Sequence, residues 1–346
     1  MDMNIKRIGQ AVAKRMGKKA VLFSLIAVLF SVLFITMFSQ SFSTTLEDRI
    51  PSSNIRIRVL DIYVRNFESY AENSIKISTY RTLESITRDR QNKGFFADFQ
   101  EFNRTFHDCM TCGKFECSNP ASGQCDLGEP GYDLNSSIKK IADLSLNQLN
   151  INTEYAINSI NIYQDYPFEV EVLVNISYNV TDNAGGYYAR WTKNKVINQT
   201  VAIIGLTDPL GFIGSTGKYT KYIKRYTGKC EFDASCWDYT TTKAFYQAQE
   251  FRYYPNGTGF LQRYWNDPSP SECCGIEHIM NGTSLPGPDT RNSYIDRYYW
   301  SGRYTCRGFG DPKILRILFD GEAVSLDEST ASRYNVASSG TVICPT

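Results

Sequence analysis

Histidine is nearly missing from this sequence. Its 346 residues contain two, His107 and His278, and nucleophilic catalysis most often recruits an imidazole as base. His107 lies within a group of cysteines. His278 follows Cys274-Gly275-Ile276-Glu277 and reads as a structural or surface residue. A charge excess of one sign is also missing: the formal net charge is +1. A phosphate-gripping glycine loop is absent as well. Gly211–Tyr219 has Phe212 and Tyr219 where a P-loop needs glycine and Ser or Thr, and Ile213 breaks the nucleophile-elbow pattern. Asp320, Glu322, Asp327 and Glu328 lack EF-hand spacing, and no carboxylate pair is marked out for acid–base work. No repeat and no long low-complexity tail occurs. These absences predict a non-enzymatic protein with no catalytic residue, cofactor or metal. An anchored hydrolase with an unmarked site is the third reading.

Long apolar runs are missing too, with one exception. Ala20 to Phe38 is nineteen residues without a charge. At about 1.5 Å per residue it nearly spans a ~30 Å hydrocarbon core. Residues 1–19 hold six basic residues (Lys6, Arg7, Lys14, Arg15, Lys18, Lys19) against Asp2, whereas Glu47 and Asp48 lie beyond the other end. This asymmetry predicts a single-pass transmembrane helix with a cytoplasmic N-terminus and an extracytoplasmic body. A cleaved secretory signal is the competing reading, with Ser39-Gln40-Ser41 as its cleavage site. The remaining chain carries 31 basic and 35 acidic residues. A mildly acidic body argues against nucleic acid as partner.

Cysteine, by contrast, is plentiful. Cys109, Cys112, Cys117 and Cys125 form one even group; Cys230, Cys236, Cys273, Cys274, Cys306 and Cys344 form another. Outside the cytoplasm thiols pair, so all ten are disulfide candidates, with the pairing open. The minor alternative is a metal site from His107, Cys109, Cys112, Cys117 and Cys125. For the adjacent Cys273 and Cys274, bonds to different segments are expected over a bond to each other. Seven N-x-[ST] sequons, at Asn103, Asn135, Asn175, Asn179, Asn198, Asn256 and Asn281, are glycosylation candidates.

The periodicities predict an α+β fold. Residues 1–19 form a basic leader and 20–38 the transmembrane helix. The stalk helix falls within 39–94: Pro51 kinks or stops a helix, Ser52, Ser53 or Asn54 caps the next, and Leu60, Val64, Phe67, Ala71 and Ile75 then stripe Ile55–Arg90. That helix either lies on its own domain or packs against copies of itself. Residues 95–133, rich in Gly, Pro, Asn and Cys, read as a stapled loop. Over 134–205 a helix capped by Asn135 or Ser136, with Ile138, Ile141, Leu144 and Leu149 on one side, leads into an antiparallel β-meander at 152–164, 167–181 and 187–204. In its middle strand, Phe168, Val170, Val172, Val174, Ile176, Tyr178 and Val180 share one face. Residues 206–346 form a Cys/Tyr-rich β/loop domain. Its Leu206–Gly217 opening reads as a boundary loop, Ile314–Phe319 and Ala323–Leu326 as a hairpin around Asp320-Gly321, and Val342–Cys344 as a strand. The aromatics, Trp191, Trp237, Trp265, Trp300 and Arg297-Tyr298-Tyr299-Trp300 among them, either pack around disulfides or form sugar or subunit platforms.

The order of parts resembles archaeal type IV pilin-like membrane-anchored surface proteins: Lys14-Arg15-Met16-Gly17 as leader, Ala20–Phe38, the Ile55–Arg90 helix and the strands after 152. Gly205-Leu206-Thr207-Asp208-Pro209-Leu210 and Gly275-Ile276-Glu277 also look like stretches of such proteins. Met16 stands between the basic residue and the glycine, and Lys18 and Lys19 follow it, which departs from the pilin leader pattern. The resemblance implies a surface structural or adhesive protein that self-associates through apolar helices, where Ser24, Ala27 and Ser31 permit close approach. A glycan- or protein-binding module is the alternative.

Overall fold

The structure, a computed structural model, describes residues 51–119, 121–128, 132–182, 189–231, 234–306 and 312–343. The leader, the apolar segment 20–38 and Cys344 lie outside the described residues. Among the described residues, no helix is long and apolar enough to cross a membrane. The chain is mixed α+β with antiparallel sheets. It divides into two compact units, Met1–Val59 and Leu60–Thr346; the first is described only from residue 51, where its backbone is helical.

Helix α1 runs Pro51–Lys93. Pro51 is the first described residue of this helix, and Ser52, Ser53 and Asn54 are helical residues, not caps. A proline ring obstructs only the turn before it, so the helix beyond is free to form. Leu60, Val64, Phe67, Ala71 and Ile75 are buried as their spacing implied. Farther on the helix is enclosed on more than its apolar stripe: Ser74, Ser78, Thr79, Thr82, Ser85 and Thr87 are buried too. Ser78 Oγ donates to the Tyr132 carbonyl (2.9 Å), and Ser85 Oγ accepts from Asp126 N–H (2.8 Å). Small hydroxyl side chains let other segments approach while satisfying those segments' polar groups. The apolar stripe is therefore covered by the helix's own domain.

Residues 95–133 are not one loop. Helix α2, Phe99–Cys112, occupies much of the span. Asp98 Oδ1 accepts from Glu101 N–H (2.9 Å) as N-cap, Gly113 closes the helix at φ 69°, and Phe102, Phe106, Cys109 and Met110 are buried. Helix α3, Leu134–Leu149, is capped by Asp133, not Asn135 or Ser136. Its buried face is Leu134, Ile138, Ala142 and Ser145, while Leu144 is exposed. Leu144 lies six residues, about 240°, around the helix from Ile138, and so falls off the face that Ile138 and Ala142 bury.

The meander follows as β1 (Ile151–Tyr166), β2 (Glu169–Asp182) and β3 (Arg190–Ala202), in that spatial order. Val170 through Val180 alternate into the core. That face lies on α1: the Phe67 and Tyr178 ring centroids are 5.1 Å apart, and Tyr63 OH lies 2.7 Å from Thr153 Oγ1.

From residue 206 the chain has shorter elements. Leu206–Gly217 is not a boundary loop. Asp208 caps the short helix α4 (Pro209–Gly214), most of which is buried, and Thr207 N–H donates to Glu84 of α1 (2.6 Å). Then come α5 (Tyr239–Ala248), β4 (Arg252–Thr258) paired with β5 (Ile276–Glu277), and α6 (Asp296–Ser301). The hairpin β6 (Ile314–Phe319) and β7 (Glu322–Asp327) turns at Asp320 and Gly321, both at positive φ. Helix α7 (Glu328–Arg333) follows, and β8 (Thr341–Val342) completes the sheet. Trp237, Phe245, Tyr246, Tyr334 and the inner faces of β6 and β7 make up this region's core.

Candidate functional site

Three places concentrate polar groups, and they differ in exposure. The first is a cleft of about 510 Å³ between the end of α1, α2 and the loop after α2. Disulfides Cys109–Cys125 and Cys112–Cys117 fix that loop. Paired sulfurs are not thiolate ligands, and His107 Nδ1 lies 3.1 Å from Asp108 Oδ1. Most cleft charges are matched. Lys93 reaches Asp89 (2.7 Å), Arg90 reaches Glu101 (2.9 Å), and Asp108 Oδ2 accepts from Cys117 N–H (3.1 Å). The Ala97 N–H and then Arg90 hold Glu101 below the usual carboxylate range, against the opposing effect of burial. Thr105, Ser122 and Asn119 add neutral hydrogen-bonding groups. Such a lining suits a hydroxyl-rich ligand better than an apolar one.

The second place is a buried charge network in the C-terminal region. Arg263, wholly buried, reaches Asp208 (3.0 Å) and Asp296 (2.6 Å). Burial raises Asp296, Arg263 lowers it and nearby Asp208 raises it again, leaving it at about 6. Glu277, also wholly buried, meets Arg333 (2.7 Å), Arg252 (3.4 Å), Arg297 (3.4 Å) and Tyr334 OH (2.8 Å). Burial pushes Glu277 up, but Arg333, Arg297, Arg252 and Tyr334 outweigh it and hold it at about 2. His278 stacks on Phe251 and contacts Tyr219 OH (3.1 Å) and the Glu250 carbonyl (3.0 Å). Burial drives it down to about 3, so it is neutral. Each of these charged groups meets one of opposite sign in the interior, which makes them a structural cross-link between α4, β4, the Leu261–Tyr264 turn, β5, α6 and α7. No spacing marked it, because its members are spread from residue 208 to 333.

The third place is the outer face of the meander, where Asn175, Asn179 and Asn198 lie. The other sequons are dispersed. Asn103 is in α2 with Oδ1 buried; Asn135 and Asn256 are exposed; Asn281 Oδ1 accepts from Thr283 N–H (2.8 Å).

The remaining cysteines depart from expectation at one point. Cys230 pairs with Cys236, and Cys273 pairs with its neighbour Cys274 instead of stapling separate segments. Cys306 is also disulfide-bonded. The four acids Asp320, Glu322, Asp327 and Glu328 do not converge: Lys243, Tyr246, the α7 N-terminus and Lys313 take one each. Trp237 is buried, and Tyr298, Tyr299 and Trp300 pack half-buried against the core, so they form no exposed platform.

No protein-family model, curated protein or solved structure matches the chain. Function therefore rests on the arrangement itself.

Proposed function

We propose that this is a membrane-anchored surface protein of structural or adhesive type, held by residues 20–38 with its N-terminus in the cytoplasm and its body outside. One observation carries the reading: a 43-residue helix begins twelve residues beyond an uncharged apolar run, and a three-stranded meander packs on it. Paired cysteines support an oxidising compartment. Helix, meander and disulfide-bearing end follow the order of a pilin-like subunit, in which apolar helices from neighbouring copies would assemble a filament.

Intact mass of the chain from its native membrane, with and without reduction and deglycosylation, tests this. A mass lacking residues 1–17, with filaments by electron microscopy, supports a filament subunit. A full-length mass sinks the processing and leaves a signal-anchored surface protein. Resistance of the body to protease added to intact cells would overturn the placement.

The cleft beside Cys112–Cys117 favours a second reading, a glycan-binding module. Glycan-array binding by the full chain in detergent that fails in an Arg104→Ala variant would move the assignment there. Arg104 lines that cleft, and among the described residues it has no ion-pair partner.

A further inference from the structure

The sequon pattern alone weighs all seven asparagines equally, but the fold does not. In a strand, residues i and i+2 point to the same side of the sheet, whereas in a helix they lie about 200° apart. Asn175 with Ser177, Asn179 with Thr181, and Asn198 with Thr200 each sit on a strand, so asparagine and hydroxyl share one side. The register puts all three pairs on a single side. Asn198 stands opposite Leu173, Asn175 opposite Val196 and Asn179 opposite Thr192, all facing away from α1. No residue of these three pairs is buried. Two of the amide nitrogens are held by surface groups: Asn179 Nδ2 donates to Glu154 (3.3 Å) and Asn198 Nδ2 to Glu171 (2.8 Å). Asn103 is the opposite case. It lies within α2, its Oδ1 is buried, and Thr105 Oγ1 donates to the Glu101 carbonyl one turn back. At Asn135 and Asn256 the hydroxyl partners Ser137 and Thr258 are buried.

We infer that the outer face of the β-meander is an N-glycosylated surface, modified at Asn175, Asn179 and Asn198. The reaction joins Nδ2 to the anomeric carbon of a lipid-linked oligosaccharide. The sugar–phosphate bond breaks, the lipid phosphate leaves with the electron pair, and Nδ2 gives up one proton. Asn175 and Asn179 are spaced by about 13 Å along β2, and Asn198 lies diagonally across from Asn175. Three glycans this close cover most of a three-stranded face. The coated side then faces outward in any assembly, leaving the opposite flanks for contact between copies. This inference rests on the extracytoplasmic placement proposed above.

Glycopeptide mass spectrometry of the full chain from native membranes tests it, alongside protease accessibility on intact cells. The expected result is sugar on Asn175, Asn179 and Asn198 and none on Asn103. Ser177→Ala, Thr181→Ala and Thr200→Ala should each remove one glycan mass and leave the other two. An accessible chain with these three asparagines bare overturns this inference alone. A chain that is both inaccessible and bare overturns the placement as well.

Discussion

Residues 60–205 and 206–343 are held together by different means. The first region is a long helix under a regular sheet, and its interior is Val, Ile, Phe and small hydroxyls. Its main ionic contact, Glu68 with Lys193 (2.6 Å), Lys195 (2.7 Å) and Tyr178, sits at the margin of the sheet. The second region has short strands and short helices, and its interior holds Arg263, Glu277, Asp208, Asp296, Arg252 and Arg297. Long elements satisfy their backbones internally and bring broad apolar faces together. Short ones leave many ends to tie, and side chains with several donors can tie several ends at once. Arg263 does so by contacting α4, α6 and the Ile276 carbonyl at 3.0 Å.

Removing the centre of that network should have the largest effect. Glu277→Ala leaves Arg252, Arg297 and Arg333 facing one another without their shared anion, a loss of about 3–5 kcal/mol. Hydrogen exchange should show β6 and β7 losing protection before β2. Equal loss in β2 would mean that the two regions unfold as one. Acid repeats the lesion reversibly. Glu277 and Glu68 are both depressed to about 2, so their contributions are present above the ordinary carboxylate range and vanish as pH falls from about 4.5 toward 2. His278, depressed to about 3, stabilises the fold at neutral pH and loses that contribution as pH drops from about 6.5. Asp296 runs the other way. Raised to about 6, it favours the fold at low pH and loses that contribution as pH rises through 6. Between 6 and 4 the two offset each other. Asp296→Asn should therefore lose stability from a higher pH than the parent on acidification, and an unchanged profile in urea titrations across pH would refute the offset.

The staple on α2 should matter next. Cys109→Ser with Cys125→Ser opens a loop of sixteen residues' separation, worth about 3 kcal/mol in the unfolded-chain account. A Cys112/Cys117 pair closing five residues should matter less, and thermal melts of both double variants compare them directly. In the helix-and-sheet region volume is the sensitive quantity. Ile75, fully buried on α1, should cost about 1 kcal/mol as Ile75→Val, read by urea unfolding and without any pH dependence.

The same contrast explains what could be read from the sequence. Alternation from Phe168 to Val180, the Asp320-Gly321 hairpin and the stripe from Leu60 to Ile75 are local signals, and each marked a real element. Helix α2 carried a local signal as well, an Asp98 cap followed by Phe102, Phe106 and Met110, but the surrounding Gly, Pro and Cys masked it. The same holds for Asp208-Pro209 at the start of α4. Neither the charge network nor the shared face of Asn175, Asn179 and Asn198 is local. The first depends on six segments meeting, and the second on the register between β2 and β3, which one residue of slip would reverse.

The smallest expected effect isolates burial as the cause. Lys243 and Asp320 form an ion pair of 2.6 Å, as short as that of Arg263 with Asp296. Distance alone would rank the two as equals. Asp320 is exposed, so water solvates each partner when the other is removed, and no charge is stranded. Lys243→Ala should leave the unfolding midpoint unchanged, while Arg263→Met, which strands Asp208 and Asp296 in the interior, should not fold to the parent's stability at neutral pH. Similar losses in the two variants would show that the interior of the C-terminal region is well hydrated, and the distinction between its two kinds of ion pair would fall.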